Sequence, residues 1–248
     1  MLKLNEDKTE PIVFAPKKRV KDLSNMNLNF GGNIVSDAEC AKNLGVYFEK
    51  TLTMDKQINA ISKLCFNQIR NIGRFRPFIT EEACKTLVCS LVTSRLDYGN
   101  ALLYGLPATS IQRLKRVQNI AARVISRKRK FNPITPILKS LHWLPVTYRC
   151  QFKLLVYVFK AFHEAPVYLQ ELVQIYKPMQ ALRSENSMIL TTPRVHGVRT
   201  KTYGKRRFDK AAAVLWNDLP SDLRNIHCGN VFKKNLKTHL LRHAFNSS

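Results

Sequence analysis

The sequence predicts a mainly α-helical α+β protein, with a small β portion confined to about the first 50 residues. Three observations support this fold class. The first 50 residues contain short apolar runs separated by glycine turns, a pattern typical of strands. From residue 53 onward, apolar residues recur with the 3.6-residue period of helices. The 248 residues are 45% hydrophobic, which is enough for a globular core. No apolar run reaches about 18 residues, so we expect no membrane span.

The β portion is expected in three places. Residues 11–15 form a short apolar run between charged turns, and residues 28–35 suggest a hairpin around a glycine turn. Residues 43–49 are a further strand candidate with Gly45 inside it. An interior glycine marks either a bulge or the close approach of another backbone or a ligand. The sequence leaves both alternatives open.

Helices with short connections are expected from residue 53 to residue 130, where they would form a small bundle. Thr53 is expected to cap the first helix and Gly73 to end it, while Thr80 caps the second. The third helix begins at about residue 110. Beyond it the pattern stays helical. The chain is therefore divided into a β segment (1–52), a helical bundle (53–130) and a basic helical region (131–248) with an exposed loop near 176–207.

Positive charge is concentrated in the later part of the chain. The formal net charge is +24, and residues 101–248 contain 26 Lys or Arg against 6 Asp or Glu. Between Asp97 and Glu164 there are 12 Lys or Arg and no carboxylate. A domain with so few acids repels itself unless a polyanion neutralises it, which indicates a nucleic acid partner. The alternative is a basic surface that only maintains solubility, although solubility does not require one sign to be concentrated.

The third helix carries a basic stripe within an arc of roughly 100°. The stripe consists of Arg113, Arg116, Arg123, Arg127 and Lys130. Ile120 interrupts it, and no acid provides the ion pairs that a merely solvated helix normally has. The adjoining run 126–130 (SRKRK) adds Lys128 and Arg129 and is a candidate nuclear import signal. We therefore expect phosphate contact here, and an intracellular location in the nucleus, the cytoplasm or both.

The cysteine and histidine pattern does not indicate a metal site. No pair of cysteines has C-x-x-C spacing. Cys228, His239 and His243 have half of a zinc-finger spacing, but a structural zinc site normally needs four ligands. Three other cysteines occupy apparent core positions of the predicted helices: Cys65, Cys84 and Cys89. We interpret these as small buried hydrophobes in a reducing compartment, and we expect neither a metal nor a cofactor in this chain.

A series of short motifs runs through the whole chain in a specific order. They are 4–10 (LNEDKTE), 43–46 (NLGV) with Leu52, 69–70 (IR), 74–77 (RFRP), 94–98 (SRLDY), 103–107 (LYGLP), 114–119 (LKRVQN), 141–145 (LHWLP), 215–220 (LWNDLP), 232–233 (FK) and 236–238 (LKT). Together they resemble the reverse transcriptases of non-LTR retrotransposons, specifically the jockey-like group of LINE-type elements. The resemblance implies that residues 1–52 are late palm with a primer-grip hairpin, residues 53–130 a thumb, and residues 131–248 the family's C-terminal region.

The resemblance also implies contacts with nucleic acid beyond the basic stripe. These are Leu44 and Gly45 of the primer grip, and Arg70, Arg74, Arg76 and Lys115 of the thumb-like bundle. The expected partner is RNA, an RNA–DNA duplex, or both. The sequence makes no prediction about the oligomeric state.

The family's catalytic aspartates have no counterpart in this sequence. It contains no Asp-Asp pair, and it begins where the hairpin that bears the family's pair would already have ended. Two-metal phosphoryl transfer needs carboxylates to hold both ions. Lys8 resembles the palm lysine suggested to protonate the leaving pyrophosphate, but without the rest of that site we interpret it as an exposed turn lysine.

We therefore expect a C-terminal fragment of an RNA-directed DNA polymerase that binds nucleic acid and is inactive alone. Mg²⁺ is expected only for the complete family enzyme. The alternative is a stand-alone basic protein, with an RNA-binding or structural role, that is unrelated to polymerases.

Overall fold

The computed structural model describes residues 9–20, 27–30, 33–163, 166–176, 188–193 and 201–246. Helices dominate this part of the chain and its named strands all precede residue 50, so the prediction of a mainly helical α+β fold is confirmed.

The chain divides into two compact units, Met1–Leu64 and Cys65–Ser248. Residue 130, where a boundary is expected, lies inside the second unit. None of the described helices has both the length and the hydropathy needed to cross a membrane.

The helices and strands of the described residues have the following bounds: α1 (Lys17–Val20), β1 (Asn27–Phe30), β2 (Asn33–Ser36), β3 (Cys40–Asn43), β4 (Val46–Glu49), α2 (Asp55–Phe75), α3 (Glu81–Val88), α4 (Ser94–Asp97), α5 (Ala108–Ser126), α6 (Ile134–Ser140), α7 (Val146–His163), α8 (Val167–Gln170), α9 (Lys201–Arg206), α10 (Phe208–Asn217), α11 (Ser221–Arg224) and α12 (Gly229–Asn246). A π-helical segment, Cys89–Thr93, joins α3 to α4, and 3₁₀ turns occupy Arg76–Phe78 and Asn100–Leu103.

The described strands form two separate antiparallel pairs. β1 pairs with β2 so that Leu28 lies opposite Val35, which confirms the pairing predicted for residues 28–35; the two glycines of its turn lie outside the described residues. In the second pair, β3 and β4 are joined by a two-residue turn of Leu44 (φ 47°) and Gly45 (φ 80°). Positive φ at both central positions is the geometry of tight hairpin turns. The placement of Gly45 inside a strand was therefore wrong, because this residue makes the turn.

Residues 11–15 do not form a strand, although backbone groups fix them within the first unit. The Ala15 N–H donates to the Lys50 carbonyl at 2.9 Å. The Val13 N–H donates to Asp37 Oδ1, also at 2.9 Å. Because these bonds do not continue as a ladder, the apolar run is not part of a sheet and the prediction of a strand there is wrong.

A buried ion pair makes the stability of the first unit depend on pH. Lys50 Nζ lies 2.6 Å from Asp37 Oδ2, and both side chains are buried. Burial alone would raise the pKa of Asp37, but hydrogen bonds from Lys50 and the Val13 amide hold it below its ordinary value. The stabilisation from Asp37 is therefore fully present above the pKa of an unfolded aspartate, about 3.9, and is lost as the pH falls through the lower folded value.

We expect Asp37→Asn to destabilise the β3–β4 hairpin at neutral pH and to weaken its pH dependence below about pH 4. Amide hydrogen exchange of this hairpin, followed across the acid range, measures the effect. Glu10→Gln is the matched control, because Glu10 is exposed. An acid profile that Asp37→Asn leaves unchanged would contradict this assignment.

Helix α2 is capped by a residue that local sequence rules did not identify. The Lys56 N–H and the Thr53 hydroxyl both donate to Glu49 Oε2, each at 3.2 Å. A carboxylate at this end of a helix also interacts favourably with the helix dipole. The helix then continues through Gly73 to Phe75. The predictions that Thr53 caps this helix and that Gly73 ends it are both wrong.

The predicted cap of the second helix is confirmed. The Thr80 hydroxyl accepts a hydrogen bond from the Ala83 N–H at 3.2 Å. This is the usual N-cap arrangement, and it depends only on residues three apart, which is why the sequence identified it.

All six cysteines lie within the described residues and are free thiols. Burial raises the pKa of Cys65 to about 11 and that of Cys150 to about 12, so these thiols are inert at neutral pH. Cys84 is buried as predicted. Cys89 is exposed at the start of the π-helical segment, so its assignment to the core was wrong.

An aromatic core holds α7, α10 and α12 together in the second unit. The Phe159 and Phe232 rings are stacked with their centroids 4.5 Å apart, and Trp216 lies 5.8 Å from Phe232. The Asn217 side chain pairs with both backbone groups of Leu190, at 2.8 and 2.9 Å. Leu190 is therefore buried, and the expectation of an exposed loop near 176–207 is wrong at this point. Residues 177–187 and 194–200 lie outside the described part.

Two polar contacts join the predicted bundle to the region beyond residue 130. Gln118 of α5 is buried; its Nε2 donates to the Leu144 carbonyl at 2.7 Å and its Oε1 accepts from the Val146 N–H at 3.1 Å. Arg149 Nη1 binds both carboxylate oxygens of Asp97, at 2.8 and 3.0 Å. These contacts explain why residues on both sides of position 130 belong to one compact unit.

Candidate nucleic-acid interface

Helix α5 carries part of the predicted basic stripe, but it ends earlier than the stripe requires. Its apolar face is buried, as the 3.6-residue period predicted. After Ser126, Arg127 adopts a left-handed conformation with φ 50°, and the Lys128 N–H bonds back to the Arg123 carbonyl at 3.2 Å. This is the usual way in which a chain leaves a helix. Arg127 and Lys130 therefore do not continue the helical face, and the prediction of five cations on one continuous helix is corrected.

Arg76 is buried and caps the carboxyl end of α5. Its Nε donates to the Val124 carbonyl at 3.0 Å, its Nη2 to Ile125 at 2.8 Å, and its Nη1 to Ile79 at 2.9 Å. A cation here also interacts favourably with the helix dipole. Each guanidinium nitrogen donates to a carbonyl and Arg76 is only 8% exposed, so little of the group is accessible to a phosphate. The prediction that Arg76 contacts nucleic acid is corrected: Arg76 is a structural residue.

Arg127 reinforces the same junction from the opposite direction. Its Nη2 donates to the Arg76 carbonyl at 2.9 Å and, more weakly, to the Pro77 carbonyl at 3.4 Å. The turn at 76–79 and the loop that follows α5 are therefore fixed to the same helix end.

An open pocket of about 620 Å³ lies along the second half of α5 and the loop after it. We call this pocket the basic groove. Its lining residues are Arg116, Asn119, Ile120, Arg123, Val124, Lys128 and Lys130. Four of these described residues are cationic and none is acidic. Such a lining suits a ligand that carries several negative charges.

Arg123 is held in a fixed orientation within the basic groove. Its Nη2 donates to the Asn132 carbonyl at 3.2 Å, while its buried Nε has no hydrogen-bond partner among the described residues. The loop itself is closed by Arg129, whose N–H donates to Asn132 Oδ1 at 2.9 Å. A buried donor without a partner is costly, and an anion is the ligand that a guanidinium binds most strongly.

The other predicted contacts do not line the basic groove. Arg70 and Arg74 on α2, Arg113 on α5 and Arg129 in the loop are exposed, Lys115 is half-buried, and Leu44 and Gly45 form the β3–β4 turn. Lys8 lies outside the described residues. The structure thus brings together Arg116, Arg123, Lys128 and Lys130 from the predicted set.

Asn119 is a lining residue that the sequence reasoning missed. It lies three positions after Arg116 and four before Arg123, and residues at these spacings are neighbours on a helix surface. That spacing was the available signal. Its amide adds a neutral polar group between the cations.

The residues with half of a zinc-finger spacing do not assemble into a larger cluster. The His239 and His243 rings are 4.7 Å apart between centroids, and burial, followed by the charge of His243, lowers the pKa of His239. Among the described residues, no group of three or more His, Cys, Asp or Glu is placed to hold a metal ion.

Comparisons of the chain with protein-family models, curated proteins and solved structures found no match. A functional assignment therefore depends on the motifs of the sequence and on the chemistry of the basic groove.

Proposed function

We propose that this chain is the nucleic-acid-handling C-terminal part of a non-LTR retrotransposon reverse transcriptase, and that its basic groove holds the sugar-phosphate backbone of RNA or an RNA–DNA duplex. The observation that best supports binding is a groove with four cations and no acid in its described lining. The ordered motifs from residue 4 to residue 238 support the polymerase family.

The proposed role is positioning of nucleic acid and not chemistry. The sequence has no Asp-Asp pair to hold the two metal ions of phosphoryl transfer. Mg²⁺ would be required only by the complete family enzyme, and the proposed location is intracellular. Because phosphates are common to all sequences, binding through this groove should show little sequence preference.

The salt dependence of RNA binding tests the role of the groove. If its four cations each neutralise one phosphate, log K should fall against log salt with a slope of about −3, at 0.7–0.9 per contact. The double variant Arg116→Ala and Lys128→Ala should flatten this slope by roughly 1.5 and weaken binding roughly 20-fold at 0.15 M salt. Fluorescence anisotropy of a labelled single-stranded RNA, and of an RNA–DNA duplex, measures both quantities.

The matched control removes two exposed lysines of α12, Lys233 and Lys234, by substitution with alanine. It changes the net charge by the same amount but leaves the groove intact. Equal effects of the two double variants would mean that only net charge matters, and the groove assignment would then be abandoned.

The polymerase assignment has a separate test in the genome. We expect the reading frame immediately upstream of Met1, intact or decayed, to encode an aromatic-Ala-Asp-Asp hairpin. An unrelated upstream sequence would instead favour the stand-alone RNA-binding protein.

A further inference from the structure

Two phenylalanines are almost fully exposed at the end of α5 that bears the basic groove. Phe131 is 92% exposed and Phe78 is 85% exposed. Phe131 directly follows the cationic run 127–130, and Phe78 ends the 3₁₀ turn that Arg76 and Arg127 fix to α5. An isolated exposed apolar residue needs no explanation, whereas two large aromatics at one cationic helix end indicate a binding surface.

The segments that bear these rings are held in place by specific hydrogen bonds. In the loop, the Asn132 N–H donates to the Arg129 carbonyl at 3.1 Å, which closes a turn around Phe131. The Arg123 guanidinium holds the same turn through the Asn132 carbonyl. Phe78 lies in a turn whose carbonyls bind Arg76 and Arg127. Both rings are thus presented to solvent on anchored backbone, which lowers the entropy lost when a ligand binds.

We infer that Phe131 and Phe78 stack on unpaired bases of a single-stranded nucleic acid whose phosphates occupy the basic groove. This inference extends the proposed function, because it names the form of nucleic acid that the groove receives. Cations that follow a backbone, combined with exposed aromatic rings, are the usual components of single-strand binding. A continuous duplex keeps its bases stacked on each other and offers these rings no free base face.

The chemistry favours nucleic acid over an anionic lipid surface. A lipid surface is met by the broad apolar face of an amphipathic helix, whereas the apolar face of α5 is buried in the core. The cations instead line a concave groove that contains the fixed guanidinium of Arg123 and the amide of Asn119.

The test measures binding of the intact chain to three labelled probes of 12 nucleotides: a single-stranded RNA, its duplex with complementary DNA, and an abasic ribose-phosphate oligomer. Phe131→Ala and Phe78→Ala should each weaken single-strand binding about tenfold, which corresponds to roughly 1.4 kcal/mol. The salt slope should stay unchanged, because no phosphate contact is removed. The abasic oligomer should bind the wild type and both variants equally.

Tyr168→Ala is the matched control, because Tyr168 is a 65% exposed aromatic of α8 and belongs neither to the loop after α5 nor to the turn at 76–78. All three side chains are exposed, so circular dichroism should show an unchanged fold.

Wild-type affinity in both phenylalanine variants would overturn the inference while leaving the groove proposal intact, since Arg116 and Lys128 test that separately. If the wild-type protein does not bind RNA, both the stacking inference and the groove proposal are overturned. Phenylalanine variants that lose affinity for phosphatidylserine vesicles, but not for RNA, would assign the surface to lipid and overturn the inference.

Discussion

Arg76→Ala should lower the free energy of unfolding by about 3 kcal/mol. The substitution leaves the Val124, Ile125 and Ile79 carbonyls without the charged donor that each has now. Each hydrogen bond from a charged group contributes roughly 1.5–3 kcal/mol. The variant also no longer bears the cost of burying a guanidinium, and this offsets part of the loss of the three bonds. For a domain of this size, the loss corresponds to a fall in Tm of roughly 6 to 12 °C. Thermal unfolding followed by circular dichroism measures it.

Arg74→Ala is the control for this prediction. Arg74 lies two residues earlier and is exposed, so its removal should change the unfolding free energy by no more than about 0.5 kcal/mol. Arg76→Lys should give an intermediate loss, because an ammonium keeps the charge but cannot reproduce the planar fork of donors. If Arg74→Ala proves as destabilising as Arg76→Ala, the capping role of Arg76 is refuted.

The Arg76→Ala variant also distinguishes a structural role of Arg76 from a role in RNA binding. Below its unfolding temperature, the folded Arg76→Ala protein should bind RNA with the wild-type salt slope, because in the wild type the guanidinium nitrogens of Arg76 all bind protein carbonyls. A flatter slope would restore Arg76 to the interface.

Gln118→Leu should destabilise the second unit by about 2 kcal/mol. Leucine fills a similar volume but leaves the buried Val146 N–H, at the first turn of α7, without an acceptor. The Leu144 carbonyl keeps a partner, because Arg149 Nε also donates to it at 2.9 Å. The expected cost is therefore that of one unsatisfied buried donor. Urea denaturation measures it, provided the m-value is unchanged.

Two further variants make this prediction specific. Gln112 lies on the exposed face of the same helix, so Gln112→Leu should leave the free energy of unfolding nearly unchanged. Gln118→Glu should cost more than Gln118→Leu at neutral pH, because a buried carboxylate faces the Leu144 carbonyl. The loss should decrease in acid, where the protonated side chain again donates a hydrogen bond. Equal stability of the leucine variants at positions 112 and 118 would show that the Gln118 contacts do not matter.

The features that the sequence predicted correctly depend on residues close together in the chain. The buried face of α5 follows from apolar residues repeated every three or four positions. The Thr80 cap joins residues three apart, and the β1–β2 pairing joins strands that are close together in the chain. Charge concentration after Asp97 is also a property of the sequence itself.

The features that the sequence did not predict depend on turns that break a helical or strand pattern and on contacts between distant residues. Arg74 and Arg76 have the same side chain within one motif, yet only Arg76 reaches the end of α5, 48 and 49 residues later. Glu49 replaces Thr53 as the cap of α2 because the chain turns directly after β4, where the Leu52 N–H donates to the Glu49 carbonyl at 2.8 Å. The basic groove likewise needs the turn at Arg127, which moves Lys128 and Lys130 off the helical face.

The sequence alone therefore determined the helical fold class, the buried face of α5 and the concentration of positive charge after Asp97. These properties come from local periodicity and composition, which act over a few residues. Only the tertiary structure decided which arginines are structural, which cations share a groove, and which aromatic rings are exposed. A charged side chain has the same local propensity whether it meets a carbonyl or water, and its surroundings are fixed only when distant segments pack together.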